Sequence, residues 1–219
     1  MHIDIWSDVV CPWCYIGKRR FETALESFDA PGGATVVHRS FQLDPSRPLG
    51  QTHNRRQMLM TKYRLSAQQV EAMDAQMEQR AGADGLEFHL RPEGITGNTR
   101  LAHELVHLGR AHGVGDAVME RFFRAYFTEG RSVFDPESLV TLAAEAGLDA
   151  AASRQALEEG TYTAAVAAEG EQARHLGANG VPFFVIDSRF GVSGAQSVEV
   201  FRDALARAAS AAAPEARRA

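Results

Sequence analysis

The sequence predicts an α/β fold: a strand-and-helix unit whose two halves are separated by an all-helical insertion. Three observations carry this reading. Strand patterns occur only towards the two ends of the chain. The apolar residues of the long middle recur at helical spacing, and a Cys-x-x-Cys pair stands where the first strand gives way to the first helix.

His2-Ile3-Asp4-Ile5-Trp6 alternates and carries branched and aromatic side chains, which is the pattern of a strand. Ser7 to Val10 leads from it into Cys11-Pro12-Trp13-Cys14. From Cys14 the pattern is helical, with Phe21, Leu25 and Phe28 at spacings of four and three. Pro31-Gly32-Gly33 should end that helix, because proline and glycine both interrupt the repeat. Thr35 to Leu43 reads as a second strand.

From Thr52 to Gly160 the spacing is helical and no strand stands out. Val70, Met73 and Met77 mark one helix, and Leu101, Leu105 and Leu108 another. Phe122, Phe123, Tyr126 and Phe127 give a third an aromatic face. Leu139, Leu142 and Ala146 mark a fourth, entered through Asp135-Pro136, an N-cap followed by proline in the first turn. A shorter helix is expected over Ala150 to Leu157.

A further helix from Tyr162 stops at Gly177, and Val181 to Asp187 then reads as a buried strand. Phe190-Gly191-Val192 is its hairpin partner across Asp187-Ser188-Arg189, and Ser197 caps a last helix bearing Val200, Phe201 and Leu205. This order is that of a thioredoxin-like domain split by an insertion. The expected boundaries are residues 1–45 and 161–210 for the two parts of that domain, 46–160 for the insertion, and 211–219 for a disordered tail.

Composition narrows the function classes. The 219 residues are 45% hydrophobic and 23% charged, ordinary for a soluble globular protein. A net charge of −5 argues against nucleic acid or an anionic membrane as partner. No stretch reaches the roughly 20 apolar residues of a membrane span. With the motif beginning at residue 11, too little chain precedes it for a secretory signal, so a cytoplasmic location is expected.

Two cysteines are present, and they are the close pair. Structural disulfides are rare where thiols are kept reduced, and zinc would need more soft ligands than this pair offers. The pair therefore reads as redox-active, with no metal, nucleotide or flavin required. At a helix start, unpaired N–H groups and the helix dipole favour a thiolate on the first cysteine, and the second lies one turn further in. Cys11 is accordingly expected to be the nucleophile and Cys14 the resolving thiol. Pro12 suits the first turn, where its missing N–H costs nothing, and Trp13 is expected to be exposed beside it. Val181-Pro182 is the candidate for a cis bond facing Cys11, with the Val181 backbone free to pair with a substrate strand.

Asp8 to Gly17 resembles the active-site segment of the DsbA family, and in particular its cytoplasmic FrnE-like branch of predicted dithiol–disulfide isomerases. Phe41 to Pro45, Asn98-Thr99 with Ala102-His103, Gly180 to Ile186 and Gly194-Ala195-Gln196 resemble later family segments, in order. The resemblance implies a thioredoxin fold with an inserted helical domain, acting on protein or small-molecule thiols and disulfides. Between the cysteines stands Pro-Trp rather than the Pro-His of strongly oxidising relatives, so a couple of roughly −270 to −150 mV is expected. The additional cysteine pair of some relatives is missing here.

His103-Glu104-Leu105-Val106-His107 matches H-E-x-x-H, but the third histidine of the extended zinc motif is replaced by Gly113. Leu101, Leu105 and Leu108 facing the core would turn His103 and His107 outward, with His103 as a candidate substrate contact in the interdomain cleft. Asn98 would cap that helix. Phe122, Tyr126 and Phe127 read as core. Asp8 would either raise the Cys11 pKa or cap the loop. The layout also resembles kappa-class glutathione transferases and hydroxychromene-carboxylate isomerases, which carry serine at the nucleophile position. Two cysteines favour dithiol exchange over that chemistry, and over a non-enzymatic scaffold, while leaving glutathione as a candidate partner.

Overall fold

The computed structural model describes residues 1–30 and 32–212. Strands β1 (His2–Ser7), β2 (Thr35–Ser40), β5 (Phe183–Ile186) and β6 (Phe190–Ser193) form one sheet in the order β2-β1-β5-β6. β1 runs parallel to β2 and antiparallel to β5, placing Ile3 opposite Ile186 and Ile5 opposite Phe184. A central strand covered on both faces needs apolar residues at every position, and β5 supplies Phe183-Phe184-Val185-Ile186. Phe184 and Ile186 pack with Ile3, Ile5, Phe21 of α1 (Pro12–Glu26) and Phe201 of α9 (Val198–Ala212). Phe183 and Val185 pack with Trp6, Phe41 and Ala173 on the other face, where α8 (Thr163–His175) lies.

The first helix begins one residue into the motif, at Pro12, and ends at Glu26 with Ser27 as C-cap, before the Pro-Gly-Gly segment expected to stop it. Pro31 lies outside the described residues. β2 stops at Ser40 rather than Leu43. Phe41 still donates to the Ser7 carbonyl at 3.1 Å, after which the Leu43 N–H turns to the Asp8 carboxylate at 2.7 Å. Ser197 caps α9, its hydroxyl accepting from the Val200 N–H at 3.4 Å. α9 continues to Ala212, into the segment expected to be a tail; residues 213–219 lie outside the described residues.

Between β2 and α8 the chain is mainly helical: α2 (Arg55–Tyr63), α3 (Ala67–Ala83), α4 (Arg100–Ala111), α5 (Gly115–Arg124), α6 (Pro136–Glu145) and α7 (Ala150–Glu159). α5 runs on into a π-helical turn, Ala125–Glu129. This segment also holds a short antiparallel ribbon, β3 (Thr52–Asn54) with β4 (Ile95–Gly97), for which the sequence gives no sign. β3 is exposed throughout, so its residues follow no burial pattern. Asn54 ends the strand and caps α2, accepting from the Gln57 N–H at 2.8 Å.

Two carboxylates fasten these helices to the sheet. Glu120 of α5 receives the Tyr15 hydroxyl at 2.7 Å, Lys18 at 2.8 Å and Arg19 at 2.8 Å, all from α1. Above that anchor the Tyr15 ring stacks on Phe123 at 4.8 Å. Glu169 of α8 receives Arg39 of β2 at 2.9 Å, Arg110 of α4 at 2.6 Å and the Ser40 N–H at 2.7 Å. His107 Nε2 stands 3.1 Å from the same carboxylate. Burial opposes ionisation of Glu169, but the hydrogen bonds from His107, Arg39, Ser40 and Arg110 outweigh it and hold the carboxyl well below the usual carboxylate range.

A carboxyl depressed by folding contributes stability that is full above its unfolded pKa of about 4.3 and is lost as the pH falls towards its folded value. Glu169→Gln is therefore expected to cost about 3 kcal/mol at neutral pH, since Arg110 loses its counter-charge and Arg39 keeps only Asp4, and to flatten the loss of stability below about pH 4. Urea melts across that range check both. An acid limb as steep as that of the wild type would contradict the assignment.

Candidate active site

Cys11 is the N-cap of α1, in extended conformation, with Pro12 at the first helical position. A helix start is where unpaired N–H groups and the dipole favour negative charge, and Cys11 stands at that end of α1 without a side-chain capping hydrogen bond of its own. The Cys11 thiol faces the Val181 carbonyl at 3.7 Å, and the Val181–Pro182 peptide is cis. Cys14 lies one turn inward, fully buried, where Cys11 keeps 5% exposure. The two cysteines approach to 3.4 Å and both are free thiols. Burial chiefly pushes the Cys14 thiol well above its ordinary value and the Cys11 sulfur adds to the rise, while Asp8 acts both ways, its backbone hydrogen bond lowering the value and its charge raising it.

Pro182 can come this close to α1 because residue 17 is glycine. A Cβ there would stand 2.9 Å from Pro182 Cγ and 3.4 Å from Ala195. Trp13 is half-buried, with the Arg80 guanidinium 5.5 Å above its ring. Asp8 is 1% exposed. One of its oxygens caps the Leu43 N–H, and the other stands 3.4 Å from His103 Nε2.

The outward placement expected for His103 and His107 is corrected: they are 0% and 6% exposed. Helical spacing assumes one covered face, but α4 is packed by β2, α5, α6, α7 and α8, so Ala102 to Gly109 are all buried. His103 does not line the cleft and reaches only Asp8, whereas His107 meets Glu169 and the Ser40 hydroxyl. The two rings of the H-E-x-x-H segment thus serve separate clusters. Asn98 does bind the start of α4, accepting from the Arg100 N–H at 2.9 Å. Phe122, Phe123 and Phe127 are core, while Tyr126 is half-buried.

Cys11 opens into a cavity of about 350 Å³ between the motif and the hairpin of α2 and α3. Met58, Leu59, Met73 and Met77 form its apolar wall, facing Trp13 and Leu43. The lining carries three cations, Arg47, Arg55 and Lys62, and three acids, Asp8, Asp44 and Asp74. Arg47 is paired with Asp44 and Arg55 with Asp74, while Lys62 has no ion pair among the described residues. Sequence reasoning did not place α2 at the site, because none of its residues is buried and its pattern is correspondingly faint. Met73 and Met77 were legible as a helical stripe; both line the cleft, and Met77 also packs against the core.

A family model described as a DSBA-like thioredoxin domain matches residues 2–206. The chain belongs to that family. A probable DsbA oxidoreductase from Streptomyces coelicolor is 45% identical, over 95% of this chain and 89% of its own, with a TM-score of 0.90. A 2-hydroxychromene-2-carboxylate isomerase shares the fold at 19% identity over 98% of each chain, with a TM-score of 0.70. So does the cytosolic disulfide reductase DsbM from Pseudomonas aeruginosa, at 18% identity over the whole of each chain and a TM-score of 0.63; it has also been solved with GSH. Among the described residues no helix is long and apolar enough to cross a membrane.

Gly17→Ala tests the contact between α1 and Pro182. The added methyl must push the Pro182 ring away from the motif, and a loss of about 1–3 kcal/mol is expected. Thermal melting reads the loss, and the initial rate of thiol alkylation reads the disturbance at Cys11. A variant as stable and as reactive as the wild type would contradict the close approach.

Proposed function

We propose that this protein is a thiol–disulfide oxidoreductase in which Cys11 is the nucleophile and Cys14 the resolving thiol. The observation that carries the reading is the asymmetry of the pair. Cys11 stands at a helix start on the lip of a cleft, and Cys14 lies fully buried within 3.4 Å of it. The Cys11 thiolate attacks a substrate disulfide and releases one substrate thiolate. Cys14 then attacks the Cys11 sulfur, closing the Cys11–Cys14 disulfide and releasing the second. The reverse sequence oxidises a substrate dithiol.

Pro12 and Trp13 shape the lip, and the main chain at Val181, held by Pro182, aligns the partner chain as an added strand would. The cleft suits a substrate with an apolar body and carboxylates, either a segment of polypeptide or glutathione, since its methionines adapt to varied shapes and Lys62 is free to meet an anion. The complex of DsbM with GSH supports glutathione as one partner. A cytoplasmic setting, with the glutathione pool as reductant, fits a lone active pair. A glutathione-dependent transferase or isomerase would use the same cleft but has no need of Cys14, and the second thiol favours exchange.

Cys14→Ser separates the two. Dithiol turnover with a fluorescent disulfide peptide and glutathione should fall by about 100-fold or more, and a mixed disulfide should accumulate on Cys11, visible as added mass. Cys11→Ser should lose both turnover and the adduct. Turnover that survives Cys14→Ser would move the protein to glutathione chemistry.

A further inference from the structure

We propose that a second cavity, beside the dithiol cleft, binds a small organic oxyanion, and that its occupation weakens the cleft's hold on anionic disulfides through Arg55.

This cavity has a volume of about 210 Å³ and includes no residue of the Cys-Pro-Trp-Cys motif. It lies between the segment 89–95 and the π-helical turn, and its walls are preformed. The Tyr126 hydroxyl donates to the Ile95 carbonyl at 2.9 Å and the His89 N–H to the Phe127 carbonyl at 2.7 Å. The Arg55 N–H donates to the Gly94 carbonyl at 2.7 Å. A site built before its ligand arrives loses little affinity to its own ordering. Turns of π-helix are rare and are found frequently at functional sites; this one brings Tyr126 into the lining.

The charge of the lining points to an anion. Arg55, Arg91, Arg131 and His89 stand in it with a single carboxylate, Glu93, in a chain whose net charge is −5. Arg131 is engaged by Glu129 and Glu145, and His89 by Glu87. Arg91 has neither an ion pair nor a side-chain hydrogen bond among the described residues. Its guanidinium lies beside Gly130, where a Cβ would stand 3.7 Å from it.

Arg55 is the second open donor. Its side chain is 14% exposed, and the Asp74 carboxylate lies 2.5 Å from Nη2. That carboxylate stands off the N–H directions, so the buried nitrogen makes no hydrogen bond. A buried donor in this state costs stability and calls for a partner. Two guanidinium groups with open donors suit the oxygens of a phosphate or a carboxylate. Leu90, Ile95 and the Tyr126 ring leave room beside them for a small apolar body.

Arg55 also joins this cavity to the cleft. It lines both, as do Leu90 and Tyr126, whereas Asp74 lines the cleft alone. An oxyanion that engages Arg55 leaves the Asp74 charge less compensated, so the cleft becomes less favourable to negative ligands. A neutral disulfide feels little of this change. By linkage, an anionic disulfide in the cleft weakens the oxyanion equally.

The probe is phenyl phosphate, titrated into the intact protein by calorimetry and NMR. It should bind with a Kd below about 1 mM, more weakly as salt is added, and at least about five-fold tighter than inorganic phosphate or phenol. Arg91→Gln should weaken it by about ten-fold or more, whereas Lys62→Gln, in the cleft, should change it by less than about two-fold. At saturation, phenyl phosphate should slow the reaction of the reduced protein with the dianion 5,5′-dithiobis(2-nitrobenzoate) by about five-fold or more. Its reaction with the neutral hydroxyethyl disulfide should change by less than about two-fold, and in Arg91→Gln the same dose should no longer slow the dianion. Binding that is lost in Lys62→Gln and kept in Arg91→Gln would put the anion in the cleft and overturn the site. So would an absence of saturable binding. Equal slowing of both disulfides would overturn the coupling. If Arg91→Gln does not fold, the wild type decides: backbone shifts should gather at residues 89–95 and 130–131, and shifts confined to the cleft would overturn the site. A protein that binds phenyl phosphate but reacts with neither disulfide refutes the dithiol reading, not the oxyanion site.

Discussion

The chemistry depends on one constraint: the start of α1 must lie where the sheet meets the helical segment. Only there can one sulfur face a cleft while its partner, a turn away, is sealed in apolar packing. The outer cysteine stands at the start of α1 and lines the cleft, whereas burial pushes the inner thiol well above its ordinary value. On the proposed reading this difference divides the labour between them. Two cysteines on an exposed loop would have no such division.

The seam is held by charge as well as by apolar contact. Glu120 gathers three donors from α1, and Glu169 gathers donors from β2 and α4. Each carboxylate is costly to bury and is stabilised only when all its partners arrive together, which fixes the relative placement of the parts. Gly17 and Pro182 add a steric condition, since α1 can approach Pro182 and Ala195 only where no side chain intervenes. On the cleft wall α3 is tied to α1 through Asp84 at its C-cap, which receives Arg20 at 2.9 Å, whereas α2 buries none of its residues.

The sheet and the dithiol were legible because each leaves a strong local mark. β1 alternates, β5 is apolar throughout, and Cys11-Pro12-Trp13-Cys14 sits at a strand-to-helix junction. What the sequence concealed was set by distant partners. Thr52-His53-Asn54 is a strand only because Ile95-Thr96-Gly97 lies beside it. His103 and His107 looked solvated because helical spacing describes one covered face, and α4 is covered all round. Asp8 was visible as a charge near the motif, but its link to His103 spans 95 residues and leaves no local pattern.

The most direct test is the equilibrium of the intact protein with a glutathione redox buffer, read by thiol alkylation and mass. The account predicts a single reversible two-electron transition between free Cys11 and Cys14 and their mutual disulfide. If the two cysteines never pair under oxidising buffer, or if glutathione adds to Cys11 and stays there, dithiol exchange is not what this site does.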